Sequence, residues 1–202
     1  MSSRVTILIP TRDGEFDLPA AIAAGLEAGP VLVADAGSRD GSAILLRQLE
    51  ALYPALACIR GTALDALGRI ATRYVLLAPV EQVLVPANVA LLVESASATG
   101  AAIAYGNVIH SDGTITGNES VQPSVFERDA IPDVLLIDRE QMTDFDVRAA
   151  LCRGLRAVFV PTVTAFAPPR RVRTPELPEP DVRRRWPLAS RHLRYFPSMG
   201  QL

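Results

Sequence analysis

Three short apolar runs constrain this chain more than any other feature. Val5-Thr6-Ile7-Leu8-Ile9-Pro10, Pro30-Val31-Leu32-Val33-Ala34 and Tyr74-Val75-Leu76-Leu77-Ala78 are continuous rather than alternating. A strand with one wet face alternates apolar and polar residues, so these runs predict strands covered on both faces. Between the first two lies a stretch with helical spacing from Asp17 to Glu27, with Asp17 expected as N-cap and Pro19 just inside. A second helix is expected from Ser42, as its cap, to about Leu52. A weaker strand near Ala57–Arg60, a helical stretch over Thr62–Thr72 and a helix from about Pro86 to Ala98 continue the pattern. Four alternations of strand and helix predict an α/β fold: a mostly parallel sheet with helices on both faces.

The pattern then changes. Ala102–His110 and Thr114–Thr116 flank Ser111-Asp112-Gly113, which predicts an antiparallel hairpin element. Val121–Asp133 is polar and punctuated by proline, and reads as a loop. A helix is expected over Thr143–Gly154 and a last strand over Ala157–Pro161. From Ala167 onward proline and arginine dominate. The expected division is one domain over residues 1–167 and an extended tail over 168–202, with a short helix around Leu188–Leu193. A chain of 202 residues suffices for one buried core.

No apolar run approaches the roughly 20 residues that span a bilayer, and the start shows no signal-peptide pattern. Cys58 and Cys152 have no CxxC spacing and read as buried free thiols. The expected location is cytoplasmic, with contact at the inner membrane face as an addition the tail suggests. The chain has no lysine, and its 20 basic residues are all arginine. Residues 170–202 hold eight of them against three acids, while the body holds twelve against nineteen. A basic tail on an acidic body points to contact with phosphates, anionic lipid or the body itself.

Ligands of open α/β sheets sit outside the carboxyl ends of the strands. Three such ends carry polar groups: Thr11-Arg12-Asp13, Asp35, and Glu81. Asp35, ending the second strand, is placed to accept hydrogen bonds from a ribose hydroxyl or a base N–H. Gly37, Ser38 and Gly41 beside it let backbone approach a ligand closely. The alternative is that these residues only shape a turn and cap a helix; that reading is preferred for Asp40 and Ser42, and ligand binding for Asp35. There is no GxGxxG after the first strand and no GxxxxGK[ST], which disfavours dinucleotide enzymes and P-loop NTPases. Only two histidines occur and no GxSxG, which disfavours a Ser-His-Asp triad and most metal-ligand sets.

Several segments together resemble the family 2 glycosyltransferases. Val5–Thr11 is similar to that family's V-S-I-I-I-P-T opening strand, and Asp35-Ala36-Gly37-Ser38-Arg39-Asp40-Gly41-Ser42 to its D-x-G-S-x-D-G-[ST] turn. Ile103-Ala104-Tyr105-Gly106-Asn107-Val108 looks like its Y-G-D strand, with Asp112-Gly113 at the hairpin. Thr143-Asp144-Phe145-Asp146-Val147 looks like its E-D-x-D-L segment, followed by Arg153-Gly154, a strand and Pro161. The matches fall in order over about residues 4–167. The resemblance implies a GT-A fold that binds a nucleotide-diphosphate sugar and transfers the sugar, with inversion, to a glycan, lipid-linked or protein acceptor. Surface or exopolysaccharide assembly is the implied setting, and no nucleic-acid partner is expected. By position, Pro10 and Thr11 would line the nucleotide site with Gly37 and Ser38, Asp35 would contact base or ribose, and Asp144 would be the general base.

One departure bears on the cofactor. Where the family carries Asp-x-Asp to hold a divalent metal, this chain has Pro79-Val80-Glu81. Glu81 is the one carboxylate left there for Mg²⁺ or Mn²⁺, and the family's Arg-Asn pair upstream is replaced near Leu64-Asp65. Arginines of the tail, Arg170, Arg171 and Arg173 or Arg183–Arg185, are candidates to neutralise the diphosphate instead; the alternative is a solvated or partner-binding tail. Trp186, Tyr195 and Phe196 are candidates to anchor that tail on the body, on a second copy in a homo-oligomer, or on a membrane surface. A catalytically impaired GT-A-like binding or scaffold protein is the second reading. A nucleotidyltransferase is disfavoured, because Thr11-Arg12-Asp13-Gly14 is too poor in glycine.

Overall fold

A computed structural model describes residues 4–116, 123–130 and 155–169. All of these lie in one unit, Met1–Pro169. The described strands are β1 (Val5–Thr11), β2 (Val31–Asp35), β3 (Leu56–Arg60), β4 (Tyr74–Leu77), β5 (Val83–Leu84), β6 (Ile103–His110), β7 (Ile115–Thr116), β8 (Ser124–Glu127) and β9 (Ala157–Ala167). They form one sheet in the order β3-β2-β1-β4-β8-β6-β9-β5, with β7 hairpinned onto β6. The half β3-β2-β1-β4 is parallel throughout, while β8 runs antiparallel between β4 and β6.

The helices are α1 (Leu18–Ala28), α2 (Ser42–Leu52), α3 (Ala63–Leu67) and α4 (Pro86–Thr99). The continuous apolar strands are buried on both faces, as their runs require: Ile7, Leu8 and Ile9 are all fully enclosed. Leu8, Leu32 and Ala34 pack with Ala63, Ala66 and Leu67 of α3 and with Phe126 of β8. The alternate residues Ile7 and Val31 meet α1 on the other face, where Gly25 lies so close that a Cβ would come 2.9 Å from Val31. Helix α4 packs on α1 and against β6, β8 and β9. Among the described residues, no helix is long and apolar enough to cross a membrane.

Several expectations are corrected. The stretch read as a loop over Val121–Asp133 contains β8 and a 3₁₀ turn, Arg128–Ala130. Strand β9 runs past Pro161 to Ala167, and the two-residue strand β5 pairs with it. Helix α3 stops at Leu67 rather than Thr72, with Gly68 directly after it. Asp17 occupies the N-cap position of α1 but its side chain makes no capping bond. At α2 the cap comes from Asp40, whose Oδ1 accepts from the Ser42 amide at 3.0 Å. The Ser42 hydroxyl is buried and has no partner among the described residues. The expected helix over Thr143–Gly154 and the tail lie outside the described residues.

Candidate functional site

The order β3-β2-β1-β4 reverses direction between β1 and β4, and such a switch point opens a crevice at the carboxyl ends. Register places Thr11, Asp35 and Arg60 side by side as the last residues of β1, β2 and β3. Asp35 is 6% exposed. Its Oδ1 accepts from the Ser38 amide at 2.8 Å and from the Ser38 hydroxyl at 2.5 Å. Its Oδ2 has no bond of this kind among the described residues. Gly37 is in the left-handed region at φ +83°, with nothing within 4 Å of where a side chain would start. This is the open stretch of the turn.

The other predicted residues fall differently. Ser38 is engaged on both sides, since its Oγ also accepts from the Asp13 amide at 2.8 Å. It orients Asp35 within the protein. Thr11 is 2% exposed and its hydroxyl is buried without a partner among the described residues. Gly14 covers that hydroxyl so closely that a Cβ there would stand 2.3 Å from it. Pro10 is half-buried, in register with Ala34. Gly41 is blocked rather than open: a Cβ would collide with the Glu15 carboxylate. Asp144, Arg170, Arg171 and Arg173 lie outside the described residues.

Two loops build the site, and acidic side chains tie them together. Asp13 Oδ1 accepts from the Arg39 amide at 2.7 Å, and Glu15 Oε2 from the Gly41 amide at 3.0 Å. In return Asp40 Oδ2 accepts from the Glu15 amide at 3.1 Å. The amides at the start of α2 are therefore occupied by the chain's own carboxylates. The bridging roles of Asp13 and Glu15 were not evident from sequence. The signal available was a pair of acids just after β1, opposite a turn rich in free amides.

The acids are spent on amides, and the arginines are not spent on acids. Arg12, Arg39 and Arg60 are exposed, and none forms an ion pair among the described residues. Beneath the site, the half-buried Cys58 is a free thiol. Burial, then the nearby carboxylates of Glu50 and Asp35, push its pKa up to about 12.

The segment after β4 does not fit a protein-held Mg²⁺ or Mn²⁺. The Pro79 side chain has no ligating atom, Val80 is buried against Gly14, and Glu81 is an exposed single carboxylate. Among the described residues no three His, Cys, Asp or Glu side chains converge to hold a metal ion.

The architecture is that of the GT-A-like glycosyltransferases, a curled, mostly parallel sheet with an inserted antiparallel element. No protein-family model matches the chain, and no curated protein matches it. Among solved structures, S. aureus TarS 1–349 in complex with UDP-GlcNAc superposes with a TM-score of 0.65 at 10% identity, over 84% of this chain and 60% of that one. The mannosyltransferase PcManGT from Pyrobaculum calidifontis, in complex with GDP-Man and Mn²⁺, does so with a TM-score of 0.62 at 17% identity, over 85% and 59%. Likeness at these identities carries the fold. The chain spans about 60% of the length of these structures.

Proposed function

We propose that the chain binds a nucleotide-diphosphate sugar at the carboxyl ends of β1 and β2 and transfers the sugar, with inversion, to an acceptor hydroxyl. The observation that carries this reading is Asp35: a nearly buried carboxylate at the carboxyl end of β2, next to the strand that borders the switch point, with one oxygen fixed by Ser38 and the other unspent beside the open Gly37. That arrangement suits a ribose hydroxyl or a base N–H. The fold adds support, since its neighbours were crystallised with UDP-GlcNAc and with GDP-Man. In the reaction, Asp144 takes the proton of the acceptor hydroxyl, the oxygen bonds to the anomeric carbon, and the bond to the diphosphate breaks. The charge that develops on the leaving diphosphate needs cations. Arg12, Arg39 and Arg60 stand at the site for that role, with Arg170, Arg171 and Arg173 as further candidates from the tail. Surface or exopolysaccharide assembly, near a membrane face, is the setting this chemistry suits.

A second reading, a binding or scaffold protein without turnover, is favoured by Pro79-Val80-Glu81 alone. Calorimetric titration with UDP, GDP, CDP and ADP, followed by assay of UDP-GlcNAc and GDP-mannose hydrolysis, separates the two. Binding of one diphosphate with slow hydrolysis of its sugar is expected. Binding without hydrolysis selects a binding protein without turnover, and binding of none overturns the transferase and leaves only the scaffold.

A further inference from the structure

We propose that Asp13 is a positioning residue that sets the orientation of the Asp35 carboxylate through Ser38; the inference rests on the nucleotide-binding reading above. Asp13 is the one described non-glycine residue with positive φ, at +56°. Aspartate tolerates that region better than most residues, yet such a conformation persists only where the surroundings hold it. Among the bonds that hold it are two to residues about 25 positions away. The Asp13 amide donates to Ser38 Oγ at 2.8 Å, and the Asp13 carboxylate accepts from the Arg39 amide at 2.7 Å.

The direction of the relay follows from hydrogen-bond chemistry. A serine hydroxyl has one hydrogen to give. Because its oxygen accepts the Asp13 amide, that hydrogen points away, to Asp35 Oδ1. The Ser38 amide donates to the same oxygen. Asp35 Oδ1 is thus held by two bonds, which leaves Oδ2 as the oxygen not bonded among the described residues. Asp35 sits almost out of water, where an incorrectly turned carboxylate is not readily replaced by solvent. Asp13 itself need touch no ligand. Its αL backbone presents the amide, and its carboxylate clamps the turn that carries Ser38. The reciprocal pair Glu15 and Asp40 holds the same two loops one step further out.

The test compares Asp13→Ala, Asp13→Asn and Ser38→Ala in the full chain. Alanine disfavours αL and removes the acceptor, whereas asparagine keeps both. Amide hydrogen exchange at Arg39, read without ligand, is expected to speed up in Asp13→Ala and not in Asp13→Asn. Affinity for the nucleotide diphosphate that the unmodified chain binds is expected to fall about ten-fold in Asp13→Ala, the scale of one hydrogen bond to a charged group. It is expected to stay within about three-fold in Asp13→Asn, inside the normal spread of such effects. Ser38→Ala, which leaves the Asp13 clamp on Arg39 intact, covers the case where Asp13→Ala fails to fold and is expected to lose as much affinity. The double variant Asp13→Ala, Ser38→Ala is expected to lose no more than either alone, because both act through one relay. Additive losses, unchanged affinity in Asp13→Ala or Ser38→Ala, or an Asp13→Asn as impaired as Asp13→Ala would overturn the inference. If the unmodified chain binds no nucleotide diphosphate, the functional reading fails, and unchanged exchange at Arg39 in Asp13→Ala would separately sink the clamp.

Discussion

The amide of Ala78 donates to the carbonyl of Leu8 at 2.9 Å, and beyond that bond β4 no longer pairs with β1. In a parallel strand successive residues bond to opposite neighbours. The Ile7 amide and the Thr11 carbonyl bond toward β2, and Leu8 bonds toward β4. Pro10 therefore faces the β4 side, where the next ladder bond would run from residue 10 to the Ala78 carbonyl; proline has no N–H to give it, and the pairing ends there. Pro10→Ala is accordingly expected to cost no more than about 1 kcal/mol, mainly through the freer unfolded chain. Urea unfolding checks this, and a loss of 3 kcal/mol or more would show that Pro10 is tied into the ladder in some other way.

Gly106 offers a sharper stability test. A Cβ on it would stand 2.6 Å from the Thr162 carbonyl and 3.1 Å from that of Val160, both backbone. This is where β6 and β9 slip register, around Tyr105 and Asn107. Backbone cannot swing aside as a side chain can, so Gly106→Ala is expected to destabilise by about 1–3 kcal/mol. The same substitution at Gly100, where nothing lies within 4 Å, meets no clash. It carries only the strain of its left-handed φ of +63°, about 1 kcal/mol. Thermal unfolding of the two variants should rank them in that order.

The elements legible in the sequence were those with a one-dimensional signal. Strands β1, β2 and β4 are unbroken apolar runs, and the β6–β7 turn carries Asp112-Gly113. Strand β8 escaped because Ser124-Val125-Phe126-Glu127 is four residues long and has Pro123 before it; its evidence is burial between β4 and β6, which no local pattern records. Strand β9 was cut at Pro161, though its partner strand slips register in this region and a bulge tolerates proline. At the site, Asp35 and Gly37 could be read from strand-end position and turn chemistry. The ties of Asp13 and Glu15 to Arg39 and Gly41 could not, because each spans two loops that only the sheet brings together.

Phe126 tests the missed strand directly. It is fully buried, stands opposite Val75 in β4 and Ile103 in β6, and packs with α3. Phe126→Ala is expected to cost about 3–5 kcal/mol, the range for removing a core phenylalanine. A loss below 1 kcal/mol by chemical denaturation would mean that the segment behaves as the loop its sequence suggests.

Cys58 gives the fold a dependence on alkaline pH. Its folded pKa, about 12, lies above the roughly 8.5 of a free thiol, so the native state holds the proton longer than the unfolded one. The resulting contribution is complete below the unfolded value and is lost as pH rises from there through the folded value. Stability is expected to fall between about pH 8.5 and 12 more steeply in the unmodified chain than in Cys58→Ala. The comparison removes the titration of other groups, and parallel curves would contradict it. The same protonation makes alkylation at pH 8 slower than for an exposed cysteine.

The arginines at the strand ends and the altered segment after β4 make one joint prediction. Arg12 and Arg60 are exposed and hold no ion pair among the described residues, while Pro79-Val80-Glu81 supplies a single exposed carboxylate. If the diphosphate is neutralised by guanidinium groups, omitting Mn²⁺ should change its affinity by less than about three-fold, within the usual uncertainty of such comparisons. Arg60→Ala and Arg12→Ala should each weaken binding about three- to ten-fold at low salt, the size of one screened charge contact, with the difference shrinking as salt is added. Calorimetry at two salt concentrations reads both effects. Affinity that collapses with chelator and ignores both arginine substitutions would place the neutralising charge on a metal after all.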